Sequence, residues 1–163
     1  MRYLKYLFLI IFISITIFIF VKAGASAEES TADSDQVTDI VVGTIDQIRP
    51  GEESIVDIYG IDQVKQFIRK GIGHFGLFLV LGIFGVPTFI LFIKKHYLAI
   101  IFELITGFMI AGISEMIQIF ASNRGPSFKD VLLDFSGYLT SSILILGIVL
   151  IIYIIRKKKV VTD

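Results

Sequence analysis

Cysteine is absent from this chain of 163 residues, which excludes a disulfide, a thiolate nucleophile and a cysteine-type metal site. Only two histidines are present, so a multi-histidine metal cage is excluded as well. Polar surface is scarce too: 55% of the residues are hydrophobic and the mean hydropathy is +0.82. A soluble domain of this size must cover itself with polar groups, and this chain cannot. It reads as an integral membrane protein, in which each span takes about 20 mostly apolar residues. Net charge is also lacking, with fifteen bases against fifteen acids, but the signs are segregated. Ten acids and three bases lie between Ala23 and Arg69, whereas Arg156-Lys157-Lys158-Lys159 is purely basic. That basic run directly follows a hydrophobic span, where it anchors topology; nothing points to nucleic acid.

Four apolar runs are present. The first, Leu4 to Val21, follows Arg2 and Lys5 and precedes Lys22 and Ala23-Gly24-Ala25-Ser26-Ala27. The small residues at Ala25 and Ala27 fit signal-peptidase cleavage after Ala27, while the length of the run fits a retained helix. Segment 23–66 changes character and is rich in Glu, Asp, Ser and Thr. Without a long apolar face it reads as a solvated, weakly structured extracytoplasmic loop, in which Asp39–Val42 and Ile55–Tyr59 form brief strands or surface helix. The 3–4 spacing of Ile58, Ile61, Val64, Phe67 and Ile68 predicts an interfacial helix leading into the membrane.

The second span covers about Gly71 to Ile93, the third Tyr97 to about Phe120, and the fourth Val131 to Ile155. The chain thus divides into an N-terminal helix or signal peptide (1–22), the acidic segment (23–66), a three-span membrane domain (67–156) and a basic tail (157–163). The fold class is all-α, a small bundle of four transmembrane helices, or three if the first is cleaved. Lys and Arg favour the cytoplasmic side. With four spans, Arg2 and Lys5, Lys94 and Lys95, and the basic tail all fall there, leaving both termini cytoplasmic and the acidic segment and the Ser122–Lys129 loop outside. Lys65, Arg69 and Lys70 are the exceptions.

Several polar residues sit where lipid makes them expensive. An ionised Asp or Glu at a helix centre costs about 2.5–3.5 kcal/mol on insertion scales, which marks it as a functional candidate. Glu115 and Gln118, three apart, share one face near the outer end of the third span. Glu115 is five residues from that end, roughly 8 Å of helix rise. Arg124 follows in the loop, close enough to fold back over Glu115. Asp130 and Asp134 share a face at the start of the fourth helix, which Gly137 and Ser141 continue, and Ser127 is placed to cap that helix. His74 opens the second span, with Lys70 one turn earlier. His74, Glu115, Gln118, Arg124, Asp130 and Asp134 share one membrane level. Glu103, near the inner end of the third span, reads as a snorkelling or interfacial residue. The plainer account of the cluster is a structural network in which Arg124 neutralises Glu115 and Lys70 faces Asp134. Gly137 and the glycines of the second span read mostly as packing positions.

The stretch Arg69-Lys70-Gly71-Ile72-Gly73-His74 resembles the Lys-x-x-x-His opening of the VanZ-like family. Glu115-x-x-Gln118, then Arg124-x-x-Ser127-x-x-Asp130-x-x-x-Asp134-x-x-Gly137, is similar to that family's second signature. The likeness covers roughly Val64 to Ile155, with two departures: Asp134 stands where Asn is usual, and Ser141 where a second Gly is common. The acidic Glu28–Asp62 stretch looks peculiar to this chain. The resemblance implies a bacterial multi-pass membrane protein linked to resistance to glycopeptide antibiotics, chiefly teicoplanin-like lipoglycopeptides. Its expected partner is a membrane lipid, a lipid-linked cell-wall precursor or a lipoglycopeptide. No cofactor and no metal signature is expected. Two other classes stay open: a membrane enzyme acting on a lipid-linked phosphate or sugar, with a divalent metal as an option, and a small transporter or channel subunit.

Overall fold

The computed structural model describes residues 3–162, without the side chains of Tyr153 and residues 156–162. Arg2 and the side chains of the tail Arg156–Lys159, on which part of the topology reading rests, lie outside the described residues. The structure is 86% helical, with no strand among the described residues. Its order is α1 (Leu4–Ala23), α2 (Ala27–Ile48), α3 (Ile55–Tyr59), α4 (Ile61–Ile68), a π-helix (Arg69–Gly76), α5 (Leu77–Phe92), α6 (His96–Ile117), a 3-10 turn (Gln118–Phe120) and α7 (Phe128–Thr162).

Four stretches are long and apolar enough to cross a membrane: Leu4–Ala23, Ile61–Phe92, His96–Phe120 and Phe128–Ile152. This is a multi-pass membrane protein. The second stretch starts ten residues earlier than the expected Gly71, because α4, the π-helix and α5 form one continuous rod. The α5 helix is central and packs on α7, α1 and α6. Phe12, Phe78, Leu81, Ile110 and Tyr138 form the buried core, while most other large apolar side chains face outward, as a lipid-solvated bundle requires.

Glycine sets how close the rods come. A Cβ on Gly137 would overlap the Phe75 carbonyl, and one on Gly107 would overlap the Tyr138 ring. The packing reading therefore holds for Gly137, as for Gly82 and Gly85, which lie against Ser141 and Tyr138. It does not hold for Gly73, which has open space around it.

The acidic segment departs from expectation. It is not a weakly structured loop; residues 27–48 form a six-turn helix, and Asp39–Val42 and Ile55–Tyr59 are helical rather than strands. Composition missed the local and long-range ties. Ser26 and Glu29 form a reciprocal capping box, with Oγ accepting from the Glu29 N–H at 3.2 Å and Oε2 accepting from the Ser26 N–H at 2.9 Å. Ion pairs Lys22–Asp33 (2.6 Å) and Lys65–Asp35 (2.8 Å) then tie α2 to α1 and α4. The Ala27 N–H donates to the Ser122 carbonyl at 3.1 Å, joining α2 to the α6–α7 loop.

The four rods alternate in direction. One end of the bundle therefore holds the C-terminus of α1, the π-helix, the end of α6 and the start of α7, with α2 lying across them. Lys5, Lys94 and Lys95 fall at the opposite end.

Candidate functional site

The α6–α7 connection is short and fixed by its own chemistry. Asn123 takes a left-handed φ of 59°, which Asn tolerates better than most residues. Ser127 caps α7, its Oγ accepting the Asp130 N–H at 3.3 Å. The Ser127 N–H is free of that duty and donates to Glu115 Oε2 at 2.9 Å, while Gln118 Nε2 donates to Oε1. Glu115 is thus held from two sides at 2% exposure. On the facing helix Asp134, 1% exposed, places Oδ1 at 3.0 Å from His74 Nδ1, and Glu115 Oε1 is 4.0 Å from the same nitrogen. With Asp134 ionised, the contact places a proton on Nδ1 and leaves Nε2 as the ring's other polar atom.

These three residues floor a cavity of about 380 Å³. Phe18, Ile19, Leu77 and Phe78 give it an apolar wall, and its remaining charged lining is Arg69, Arg124 and the ion-paired Lys22 and Asp33. Ser30, Ser34 and Val37 of α2 roof it. Arg124 is anchored by donating from Nη1 to the carbonyls of Ala25 (3.2 Å) and Lys22 (3.4 Å), the end of α1. Burial first, then the neighbouring Arg69 guanidinium, hold Arg124 below its ordinary pKa, yet an arginine stays ionised in any case. Two like-charged guanidiniums held near each other favour an anion between them.

His74, Glu115, Gln118, Arg124 and Asp134 therefore meet around one cavity, and Ser127 reaches it through its backbone. Asp130 stands one turn before Asp134, partly exposed and outside the lining. Gly137 packs against the π-helix and supplies no group to the site. Lys70 is exposed beside an apolar groove lined by Val41, Tyr59, Phe67 and Leu133. The expected network of Arg124 with Glu115 and Lys70 with Asp134 does not form: backbone and glutamine donors hold Glu115, and His74 holds Asp134.

Arg69 and Lys22 were not foreseen as members. The π-helix is the reason for Arg69, since i→i+5 bonding brings residues five apart over one another and turns Arg69, with His74, toward the cavity. A π-bulge leaves no mark in spacing read at α-helical periodicity. Glu103 is corrected more sharply: it is no snorkelling residue but lies in the bundle interior at 1% exposure, accepting a hydrogen bond from Ser142 Oγ at 2.6 Å.

One ligand atom each of His74, Glu115 and Asp134 lies within 4.8 Å of the others, close enough to share a divalent ion. The same residues also form two separate hydrogen-bonded sets, His74 with Asp134 and Glu115 with Gln118 and Ser127.

The VanZ/LLP1 family model matches residues 8–155. The chain belongs to the VanZ/LLP1 family. The match is wider than the motif likeness over Val64–Ile155, since it takes in α1 and the acidic segment that roofs the cavity. Within this VanZ/LLP1 protein the two motifs are the two walls of the cavity floor, His74 from one and Glu115 with Asp134 from the other. No curated protein and no solved structure matches the chain.

Proposed function

We infer that this VanZ-like membrane protein lowers sensitivity to teicoplanin-like glycopeptides by engaging the anionic head of a membrane amphiphile in the cavity. The observation that carries the reading is the cavity's make-up: two guanidiniums, Arg69 and Arg124, beside an ion-paired Lys22 and Asp33, the polar group His74, Glu115 and Asp134, and an apolar wall. That combination matches a phosphate-bearing head with a lipid tail. Small-molecule pockets run from about 300 to 1,000 Å³, so a cavity of about 380 Å³ takes a head group and not a whole glycopeptide. Arg2, Lys5, Lys94, Lys95 and Arg156–Lys159 support an outward-facing cavity, with Lys65, Arg69 and Lys70 as the exceptions to the positive-inside preference.

The test is deletion and complementation scored by teicoplanin and vancomycin sensitivity. Deletion should sensitise the cells, and Glu115→Ala and Arg124→Ala should fail to rescue at equal membrane levels. Full rescue by both would remove the cavity from the mechanism.

The Asp134–His74 contact favours a second reading, a membrane enzyme. Asp134 orients the imidazole so that Nε2 serves as general base toward a lipid-linked phosphate or sugar. Purified protein incubated with a lipid panel should then release a head group, and His74→Gln should abolish the release. No product across the panel counts against it.

A further inference from the structure

A second buried carboxyl group, Glu103, lies in the bundle interior twelve residues from Glu115 along α6, about 18 Å away along the helix axis. Its neighbours are oxygens. Ser142 Oγ donates to Oε1 at 2.6 Å, and the Tyr138 hydroxyl adjoins the carboxyl group. Glu103 Oε2 and the Tyr138 hydroxyl are both sealed from solvent, and neither has a hydrogen-bond partner among the described residues. Glu103, Tyr138 and Ser142 are each no more than 1% exposed. An interior carboxylate with an unpaired oxygen is among the most costly groups a membrane protein can hold, so it needs a counter-charge.

The helices packed around it supply none. The α5 helix has no ionisable residue. The α1 helix has Lys5, Tyr6 and Lys22, all near its ends. On α7 the ionisable group at this level is Tyr138, with Asp134 two turns before Ser142, and on α6 itself His96 and Tyr97 open the helix about two turns before Glu103. The ion pairs among the described residues all involve other groups.

We propose that Glu103, Tyr138 and Ser142 form a binding site for one monovalent cation in the bilayer core. One carboxylate among hydroxyl oxygens, with no nitrogen ligand, suits a hard, singly charged guest and leaves the site neutral once filled. A proton and a sodium ion share that chemistry. Asp134, Tyr138 and Ser142 fall at four-residue intervals on α7, a single helical stripe joining this site to the floor of the cavity.

The experiment is infrared difference spectroscopy on the purified full-length protein. Spectra are taken between acidic and alkaline buffer, in sodium chloride and in choline chloride, for the wild type and Glu103→Gln. A protonated-carboxyl band that Glu103→Gln removes, unchanged by sodium, identifies a proton as the guest. The same band present in choline and lost in sodium identifies sodium. No Glu103-dependent band in either salt, with a melting temperature that responds to sodium identically in wild type and Glu103→Gln, overturns the proposal. If Glu103→Gln does not fold, Tyr138→Phe and Ser142→Ala keep the carboxyl group. Each should then shift the band, and spectra that neither variant moves also overturn it.

Discussion

Gly137→Ala places a methyl group where the Phe75 carbonyl already stands. The obstacle is backbone inside the π-helix, with the Leu79 nitrogen also 3.2 Å from the new carbon, so no side-chain rotation relieves the overlap. Forcing an extra methyl into a packed interior costs about 1–3 kcal/mol. Replacing a helix-interior glycine by alanine returns roughly 0.5–1 kcal/mol through the unfolded chain. The expected outcome is a net loss of up to about 2.5 kcal/mol. Gly147, on the same helix, has nothing within 4 Å of the point where a methyl group would sit, so Gly147→Ala should gain roughly 0.5–1 kcal/mol instead. Reversible unfolding in mixed micelles, followed by circular dichroism, reads both variants against wild type. Equal stabilities for the two would refute the close packing of α7 on the π-helix and the start of α5 and, with it, the placement of His74 opposite Asp134.

Ser127→Ala removes the α7 cap and should destabilise by about 0.5–2 kcal/mol, measured in the same micelles. Asp33→Ala breaks an exposed pair with Lys22, so global stability should change by less than about 1 kcal/mol, while amide exchange in α2 accelerates. Unchanged exchange would mean that this pair does not hold α2 over the cavity. Because α1 walls the cavity and its terminal carbonyls anchor Arg124, the intact mass of the purified protein should include residues 1–27; a mass corresponding to cleavage after Ala27 would contradict the four-helix site.

The spans and the cavity floor are legible in the sequence for one physical reason: a carboxylate or amide inside an apolar run is too costly to be incidental. Depth alone brings His74, Glu115, Gln118 and Asp134 to a common level, and the structure puts them within contact range. What spacing does not supply is rotation. Lys70 shares a face with His74 only at α-helical periodicity, and the π-helix makes Arg69 the residue that lines the cavity. Loop length places Arg124 near Glu115 but gives it the wrong partner, because backbone carbonyls are invisible as acceptors until the end of α1 has a position. The acidic segment lacks an apolar stripe, and its helix depends on a capping box and ion pairs to distant residues. Glu103 looks peripheral in the sequence because its distance from the chain's polar turn is readable, whereas its burial against Tyr138 and Ser142 is not.

The most direct measurement is native mass spectrometry of the full-length protein with a lipid bearing a phosphomonoester head, against a neutral diacylglycerol of the same chains. Wild type and Gly147→Ala should retain the phosphate lipid selectively, and Arg124→Ala, alone or with Arg69→Ala, should lose that selectivity while remaining folded. Equal retention of both lipids by wild type, or full selectivity in the double variant, would contradict a head-group site in this cavity.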